Sequence, residues 1–439
     1  MNEKLIRDYI REFQEKRFEN IIKRELSTPI IEGKCVSIIG PRRAGKTYFF
    51  FSLISNLERR KSLYLDFEEI FLKNLNAEEI LEIILKIFPS IAGNEPTYVF
   101  LDEIQNIKGW ESLIRTLLNR GYKIFVTGSS SKLLSKEIAT QLRGRTLSYL
   151  LLPFSFIEYL RAKNERIDLN KLSNAGKLML LLEEYIRYGG FPEVVLKEEK
   201  ERMLKEYLNL AFYKDFMERH EIKSMSLASL LFNHIIQNYS NEFSVRSIAK
   251  RIKTQGVKYD INTFYRYLEF VEDTLFIFFL RRFSLRVHLR ESWPKKVYLC
   301  DTGLTKVIQF SDDIGKLIEN TVFLELLRRT NENPLMEIYY FKTREGHEID
   351  FLTKEGNRIS RLIQVTYANG FDEIDPREIR ALLHAKELFK KDKPELMCIT
   401  WDYEGEKEIS WFGKEGTIKF IPLWKWLIEG FRMQTSIPE

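Results

Sequence analysis

The segment GPRRAGKT, residues 40–47, decides how the first part of the chain folds. It matches the pattern G-x-x-x-x-G-K-[ST] at every position, and it stands between an apolar segment, CVSII, and a helix-prone one, TYFFFSLI. A loop between a strand and a helix can wrap a phosphate group with its backbone N–H groups, and the helix N-terminus adds a partial positive charge. The segment therefore predicts a phosphate-binding loop at the carboxyl end of a strand.

Each residue of this loop has an expected part in nucleotide binding. The predicted nucleotide-binding residues are Gly40, Pro41, Arg42, Arg43, Ala44, Gly45, Lys46, Thr47 and Tyr48. Lys46 would bridge the β- and γ-phosphates, and the Thr47 hydroxyl would bind Mg²⁺. Arg42 and Arg43 are expected to contact phosphate or a partner domain, and not to act in catalysis. The expected cofactors are ATP and Mg²⁺.

A second apolar segment, YVFLDE, ends on two adjacent carboxylates, Asp102 and Glu103. We interpret this segment as lying one strand-helix unit after the phosphate loop. In that position, Asp102 would complete the Mg²⁺ site. Glu103 would orient and deprotonate an attacking water molecule. The presence of Glu103 therefore favours hydrolysis over binding alone.

Further catalytic candidates follow in the segments IFVTGSS and LRGR. Ser129, at the end of a strand, could hydrogen-bond the attacking water beside the γ-phosphate. Arg143 and Arg145 could neutralise charge on the transferred phosphate, in their own subunit or in a neighbouring one. Packing at the surface or between domains explains these two arginines almost equally well.

Apolar segments alternate with helix-prone ones from Lys34 to Leu152. The predicted strands are residues 35–39, 63–65, 98–101, 124–126 and 148–151. Such alternation is typical of a parallel sheet with helices on both faces. We predict an α/β nucleotide-binding core over residues 1–152 and a helical region over residues 153–224, in which Gly189 and Gly190 form a turn and Pro192 starts a helix.

Positive charge is concentrated in one segment. The chain has a net charge of +6, whereas residues 244–296 contain twelve basic and five acidic residues, a local charge of +7. Predicted helices at 230–239, 244–253 and 261–273 and a hairpin at 275–289 have the order of a winged helix-turn-helix, over residues 225–295. Such a stripe favours DNA as a partner, bound through the segment from Arg246 to Lys296.

The candidate DNA contacts fall into two groups. Basic candidates are Arg246, Lys250, Arg251, Lys253, Lys258, Arg281, Arg282, Arg286 and Arg290. On the recognition helix the candidates are Asn262, Thr263, Tyr265 and Arg266. A solvated basic surface is the alternative interpretation.

The segment GHEIDFLTKEGNRISRLIQVTY, residues 346–367, resembles the metal-binding hairpin of PD-(D/E)xK nucleases. Such a site needs two or three carboxylates for a metal ion and a lysine beside the attacking hydroxide. Glu319 and Asp350 stand at carboxylate positions, but Gln364 replaces the third ligand and Thr366 replaces the lysine. We therefore expect the scaffold without the chemistry.

Other interpretations of this region stay open. A catalytic lysine could have moved to Lys342, Arg344 or Lys354. Alternatively, Glu319 and Asp350 could bind a partner or have a structural role.

Cysteine usage and hydropathy limit the class of protein. Cys35, Cys300 and Cys398 are scattered in apolar segments, as expected for reduced core thiols in a cytosolic protein. No apolar run approaches the roughly 20 residues of a membrane helix. We expect a cytoplasmic protein with no membrane partner.

Several motifs together resemble a large prokaryotic family of AAA-type ATPases. They are, in chain order, GPRRAGKT, LDEIQNIKGWE, TGSSS, LRGR, PFSFIEYL, GGFPE, PKKVYLCDTGL, the pair Glu319-Asn320, and HEIDF. The resemblance covers nearly the whole chain. It implies a P-loop NTPase core, a helical lid over residues 153–224, a winged helix, and a restriction-endonuclease-like α/β domain over residues 296–439. The preference for adenine is implied by this resemblance alone.

Three functions are compatible with these patterns. The basic segment favours an ATPase that couples ATP turnover to DNA binding or remodelling. A nucleotide-dependent switch or scaffold for a protein partner is the alternative. An ATP-gated, metal-dependent nuclease is disfavoured by Gln364 and Thr366. An arginine acting on a neighbouring subunit would require a homo-oligomer.

Overall fold

The structure is a computed structural model. It describes residues 2–131, 142, 144–165, 175–244, 248–250, 260–308, 313–343 and 345–432. The chain divides into two compact units. The first unit comprises residues 1–153 with Asp273–Leu275, and the second comprises residues 154–272 and 276–439.

A five-stranded sheet forms the centre of the first unit. Its strands are β1 (Cys35–Ile39), β2 (Ser62–Asp66), β3 (Tyr98–Asp102), β4 (Lys123–Gly128) and β5 (Thr146–Leu150). Their order is β2-β3-β4-β1-β5, and all neighbouring strands are parallel. Strand β1 is buried along its whole length, as expected for an inner strand with helices on both faces. The predicted parallel α/β sheet is confirmed.

Helices of the first unit pack on this sheet. They are α1 (Glu3–Glu15), α2 (Lys46–Ser55), α3 (Ile70–Lys73), α4 (Ala77–Glu82), α5 (Phe88–Ala92) and α6 (Trp110–Asn119), with a π-helical segment at Ile83–Ile87. The ring of Phe100 stacks on Phe125 at 4.5 Å and meets the edge of Phe50 at 5.2 Å. These three buried rings fix α2 against β3 and β4, and so fix the phosphate loop relative to the ends of those strands.

The second unit begins with helices. They are α7 (Phe156–Ala162), α8 (Ala175–Tyr188), α9 (Pro192–Leu196), α10 (Lys200–Leu210) and α11 (Met225–Gln237), with a π-helical segment at Ala211–Glu218. Gly189 has φ +75°, and the N–H of Gly190 donates to Asp301 Oδ2 at 2.7 Å. A Cβ atom on Gly189 would lie 1.6 Å from Asp301 Oδ1, so this turn requires glycine. The predicted turn and the helix start at Pro192 are confirmed.

A three-stranded antiparallel sheet follows in the chain. Its elements are β6 (Glu242–Phe243), α12 (Ile261–Asp273), β7 (Ile277–Leu280), α13 (Val287–Ser292) and β8 (Lys295–Leu299), in the sheet order β6-β8-β7. The predicted helix at 261–273 is confirmed, but the hairpin at 275–289 is wrong in its second half. Residues 287–292 form a helix, and the apolar segment KKVYL after Pro294 supplies the returning strand.

A mixed six-stranded sheet completes the second unit. Its strands are β9 (Met336–Lys342), β10 (Glu348–Glu355), β11 (Arg358–Val365), β12 (Glu395–Thr400), β13 (Gly405–Trp411) and β14 (Lys414–Pro422), and its helices are α14 (Ile314–Arg329), α15 (Pro376–Leu388) and α16 (Leu423–Arg432). The order is β13-β14-β12-β11-β10-β9. Strands β9, β10 and β11 are antiparallel neighbours, whereas β11, β12 and β14 are parallel.

Two further predictions concern thiols and membranes. Cys35, Cys300 and Cys398 are buried thiols, which confirms that they belong to the core. Among the helices that the structure describes, none has both the length and the apolar character needed to cross a membrane.

Candidate functional site

The loop at residues 40–47 leaves the carboxyl end of β1 and leads directly into α2. A Cβ atom on Gly40 would lie 2.0 Å from the carbonyl oxygen of Leu151, so only glycine fits there. Gly45, with φ +93°, immediately precedes the first residue of the helix. The loop thus has the strand-loop-helix geometry that presents backbone N–H groups to an anion.

Lys46 is the cation of this loop. Its side chain is buried, and its Nζ donates to the carbonyl oxygens of Gly40 at 3.1 Å and Pro41 at 3.3 Å. Glu103 Oε1 lies 3.3 Å from the same Nζ. The ammonium group is therefore held inside the loop by oxygen atoms that phosphate oxygens could replace.

Asp102 ends β3 and is almost fully buried. Its Oδ2 accepts hydrogen bonds from the Thr47 hydroxyl at 2.7 Å and the Tyr64 hydroxyl at 2.9 Å, and its Oδ1 accepts one from Thr127. Burial raises the pKa of Asp102, the negative charge of Glu103 raises it further, and these three hydroxyl groups oppose the rise.

Glu103 follows with φ +53°, an uncommon conformation for a residue other than glycine. Its backbone N–H donates to Thr127 Oγ1 at 2.9 Å, and Ser129 Oγ donates to its Oε2 at 3.1 Å. Burial acts to raise the pKa of Glu103. The positive charge of Lys46, a hydrogen bond from Gln105 and the positive charge of Arg42 lower this pKa to about 2. The carboxylate is therefore ionised at neutral pH.

Sheet topology explains why these side chains meet. Strands β3 and β4 are parallel neighbours, and β4 also neighbours β1, so their carboxyl ends lie at one edge of the sheet. The structure brings together Lys46, Thr47, Asp102, Glu103 and Ser129, all predicted as site residues.

The remaining predicted loop residues have other surroundings. Arg42 pairs with Glu68 at 2.7 Å. Arg43 has φ +69°. The Tyr48 side chain is 60% exposed and meets the ring edge of Phe51.

Sequence patterns missed an arginine that supports the loop from behind. Arg24 is buried, and it donates to the carbonyl oxygens of Ala44 at 2.9 Å and Leu152 at 2.5 Å. It ties the loop to the segment after β5. No motif surrounds Arg24, so its role depends on a contact that only the folded chain shows.

Arg145 is not brought to the phosphate loop. It precedes β5, its backbone oxygen accepts from the N–H of Cys35 at 2.7 Å, and its guanidinium donates to Asn119 at 2.6 Å. In a parallel sheet this is the amino end of the strands, one strand length, roughly 16 Å, from the loop. Arg145 therefore cannot reach a phosphate bound in its own subunit. Arg143 lies outside the described residues.

The donor set fits a phosphate with a bound divalent cation. Lys46 and the backbone N–H groups at the start of α2 supply positive charge for phosphate oxygens. The Thr47 hydroxyl and the Asp102 carboxylate, 2.7 Å apart, are oxygen ligands of the kind that Mg²⁺ prefers.

In the second unit, Glu319 and Asp350 lie beside the ammonium group of Lys296, a residue at the end of the predicted DNA-binding segment. Lys296 Nζ lies 3.0 Å from Glu319 Oε1 and 3.1 Å from Asp350 Oδ1. Burial acts to lower the pKa of Lys296, but the surrounding carboxylates raise it well above its ordinary value, so the lysine is charged. Among the described residues, no group of three or more His, Cys, Asp and Glu side chains is placed to hold a metal ion.

Two of the three proposed replacements for a catalytic lysine lie within the described residues, and each has its own carboxylate partners. Lys342 pairs with Glu242 and Glu348, each at 3.0 Å. Lys354 pairs with Glu337. Arg344 lies outside the described residues.

At the altered nuclease positions, Gln364 is used internally. Its Oε1 accepts from the backbone N–H of Asp350 at 3.4 Å. The Thr366 side chain hydrogen-bonds to Glu378, whose pKa burial raises to about 8.

Part of the predicted DNA-binding segment is used in packing. Lys296 is enclosed by carboxylates, Arg282 stacks over Trp293 at 4.1 Å, and Arg290 donates to the Tyr339 hydroxyl at 3.0 Å. Lys296, the last residue of the predicted segment, therefore has its charge neutralised inside the protein and adds nothing to an exposed basic surface.

Other side chains of the segment are exposed. The exposed candidates are Lys250, Asn262, Tyr265, Arg266, Arg281 and Arg286, while Thr263 is half-buried. The candidates outside the described residues are Arg246, Arg251, Lys253 and Lys258.

Three protein-family models match successive parts of the chain. Residues 32–160 match an AAA domain. Residues 179–313 and 314–426 match two domains of unknown function, DUF8612 and DUF4143.

Whole-chain relatives exist in archaea and bacteria. An uncharacterized protein of Methanocaldococcus jannaschii is 39% identical over 414 residues, covering 92% of this chain and 91% of that protein. One of Haemophilus influenzae is 27% identical, covering 89% of this chain and 94% of that protein.

Among solved structures, a DNA polymerase III gamma subunit-related protein of Thermotoga maritima is similar at 14% identity with a TM-score of 0.23. It covers 62% of this chain and 100% of that one. The chain therefore contains an AAA domain and belongs to the same family as the uncharacterized Methanocaldococcus jannaschii protein.

Proposed function

We propose that the chain is a Mg²⁺-dependent ATPase that couples ATP hydrolysis to DNA binding or remodelling. The observation that supports hydrolysis is the position of Glu103, an ionised carboxylate 3.3 Å from the phosphate-loop lysine, Lys46. A protein that only binds nucleotide has no need of a second carboxylate at this place.

Binding would begin with an exchange of partners at Lys46. Its ammonium group would leave the loop carbonyl oxygens and Glu103 for the β- and γ-phosphates. Thr47 and Asp102 would hold Mg²⁺, which when bound neutralises phosphate charge. The adenine preference rests on the family, since no base-reading motif stands out in the chain.

The same exchange would prepare Glu103 as a base. Lys46 is the main cause of its low pKa, so the pKa rises when the lysine turns to phosphate. A carboxylate with a higher pKa removes a proton from water more readily. Ser129, which donates to Glu103 at 3.1 Å, would keep the carboxylate in place.

An arginine for charge neutralisation would come from a second copy of the chain. Arg145 lies at the sheet edge opposite the phosphate loop of its own subunit, so it could act only on a nucleotide bound to a neighbouring subunit. Arg143 is proposed for the same role. A homo-oligomer is part of this proposal.

The arrangement around α12 supports a winged helix for DNA. In chain order α11 is followed by β6, a helical segment at 248–250, α12, β7, α13 and β8, and the sheet order is β6-β8-β7. Apart from α13, which stands between the two wing strands, this is compatible with the order of a helix-turn-helix with a wing. Asn262, Tyr265 and Arg266 lie exposed on α12, where a recognition helix presents its side chains.

The last part of the chain supports a nuclease-like scaffold without nuclease activity. Helix α14, the strands β9 to β11, helix α15 and strand β12 alternate in an order compatible with restriction-endonuclease-like proteins. The changes at Gln364 and Thr366 count against cleavage. We propose a core at 1–152, a helical lid at 153–224, a winged helix at 225–295 and this degenerate domain at 296–439.

A nucleotide-dependent switch for a protein partner is the second candidate. The observation in its favour is that three basic side chains of the segment, Arg282, Arg290 and Lys296, pack against other parts of the protein. That leaves a smaller exposed basic surface than the sequence predicts.

Replacing Glu103 with glutamine should separate binding from hydrolysis. We expect the variant to retain ATP while its turnover falls by about 100-fold or more, because a general base is lost. Phosphate release with Mg²⁺ and with EDTA measures this, and Lys46→Ala, which should lose nucleotide binding, serves as the reference. Wild-type turnover in Glu103→Gln would refute the assignment.

The same substitution should tighten the binding of ADP, which is not hydrolysed. Glu103 competes with phosphate for Lys46, so its neutralisation should lower the Kd for ADP by about tenfold. Titration calorimetry measures the Kd, and Glu82→Gln, on a surface pair with Lys86, is the matched control. An unchanged or higher Kd would show that the pair does not compete with phosphate.

Replacing Arg266 with alanine should weaken duplex DNA binding at low salt. If Arg266 contacts one phosphate, the slope of log K against log salt should become shallower by about 0.9. Fluorescence anisotropy across a salt series measures both quantities. Arg377→Ala, which removes a side chain 83% exposed on α15, should leave both unchanged. Equal effects of the two variants would count against a DNA surface on α12.

A further inference from the structure

Three carboxylates in the second unit enclose one ammonium group. The Lys296 side chain on β8 is only 4% exposed. Its Nζ lies 3.0 Å from Glu319 Oε1, 2.8 Å from Glu348 Oε1 and 3.1 Å from Asp350 Oδ1. An ammonium group has three N–H donors, so each donor has one carboxylate to bind.

The carboxylate oxygens of Glu319 and Asp350 also accept hydrogen bonds from other groups of the chain. The Tyr298 hydroxyl donates to Glu319 Oε1 at 2.6 Å, and the backbone N–H of Val365 donates to Asp350 Oδ2 at 3.0 Å. These contacts orient the two acids toward Lys296 and stabilise their negative charge. Each of the two acids therefore has at least one hydrogen-bond donor from the chain besides Lys296.

A second lysine extends the cluster between two sheets. Lys342 on β9 lies 3.0 Å from Glu348 on β10 and 3.0 Å from Glu242 on β6. Lys296 and Glu242 belong to the three-stranded sheet, whereas Lys342 and Glu348 belong to the six-stranded sheet. With the pair of Lys296 and Asp350 on β10, three ion pairs therefore join the sheets.

The geometry is that of an ammonium group and not of a metal ion. Separations of 2.8–3.1 Å are those of charged hydrogen bonds, whereas Mg²⁺ binds oxygen at about 2.0–2.1 Å. Nζ occupies the point on which the three carboxylates converge. A divalent cation could bind there only if Lys296 left, and buried carboxylates need a counter-charge.

We propose that Lys296 is the permanent cation of this cluster, in the place a metal ion would take in a hydrolytic site, and that it crosslinks the three-stranded sheet to the six-stranded sheet. The cluster then holds the strands beside α12 against the C-terminal sheet without a metal. This role is independent of the proposed ATPase and DNA-binding activities.

A set of substitutions in the full chain tests the role of Lys296. Lys296→Met leaves the buried Asp350 and the largely buried Glu319, together with the half-buried Glu348, without their cation. Lys296→Met with Glu319→Gln and Asp350→Asn removes most of the charge as well. Breaking a buried ion pair costs more than replacing the whole pair with neutral groups. We expect the single variant to lower the urea midpoint and the triple variant to regain at least half of that loss.

Tryptophan fluorescence reports this unfolding, because five of the six tryptophans lie after residue 153. The matched control is Lys354→Met, which breaks a more exposed pair with Glu337 in the six-stranded sheet. It should shift the urea midpoint less than Lys296→Met does. A single variant no less stable than this control, or a triple variant that regains nothing, would overturn the proposal.

Metal binding supplies an independent measurement. Nucleotide-free wild-type chain and Asp350→Asn should bind the same number of Mn²⁺ ions by electron paramagnetic resonance, because Lys296 fills the cluster. If the wild type holds a Mn²⁺ ion that Asp350→Asn loses, the carboxylates bind a metal ion, Lys296 is not their permanent cation, and the proposal is wrong.

Discussion

The nucleotide site depends on the hydrogen bonds that the Asp102 carboxylate accepts. Hydroxyl groups from three elements converge on it: Thr47 from α2, Tyr64 from β2 and Thr127 from β4. A buried charge is stable only with such partners, so the loop, the sheet and the acidic strand end must assemble together. The parallel register of β3 and β4 makes this convergence possible and places the next residue, Glu103, within reach of the loop.

Each unit of the chain contains a lysine whose ammonium group lies beside carboxylate oxygens. The two lysines differ in how readily they can exchange these partners for a ligand. Lys46 has one carboxylate partner, Glu103, and weaker contacts to carbonyl oxygens at the start of a helix. An anion with more negative charge, such as a phosphate group, can replace these partners of Lys46. Lys296 has three carboxylates for its three donors, so no incoming group offers more. The first lysine is suited to ligand exchange and the second to a fixed structural role.

The sequence predicts local features of this molecule well and distant contacts poorly. The phosphate loop, the five parallel strands and the pairing of Thr47 with Asp102 follow from the alternation of apolar and helix-prone segments and from the motifs that end β1 and β3. Arg24 and Lys296 could not be assigned, because their partners lie far away in the chain and no motif surrounds them. The sequence also left open whether Arg145 serves its own subunit, because a motif gives the strand that follows but not the sheet edge at which that strand begins.

The measurement that tests the central claim most directly is steady-state ATP hydrolysis by the purified chain, with and without duplex DNA, at low and high salt. The proposed function predicts Mg²⁺-dependent turnover that DNA stimulates at low salt, with a stimulation that fades as salt competes for phosphate contacts. Turnover that DNA leaves unchanged at every salt concentration would contradict a DNA-coupled ATPase and would favour the switch for a protein partner.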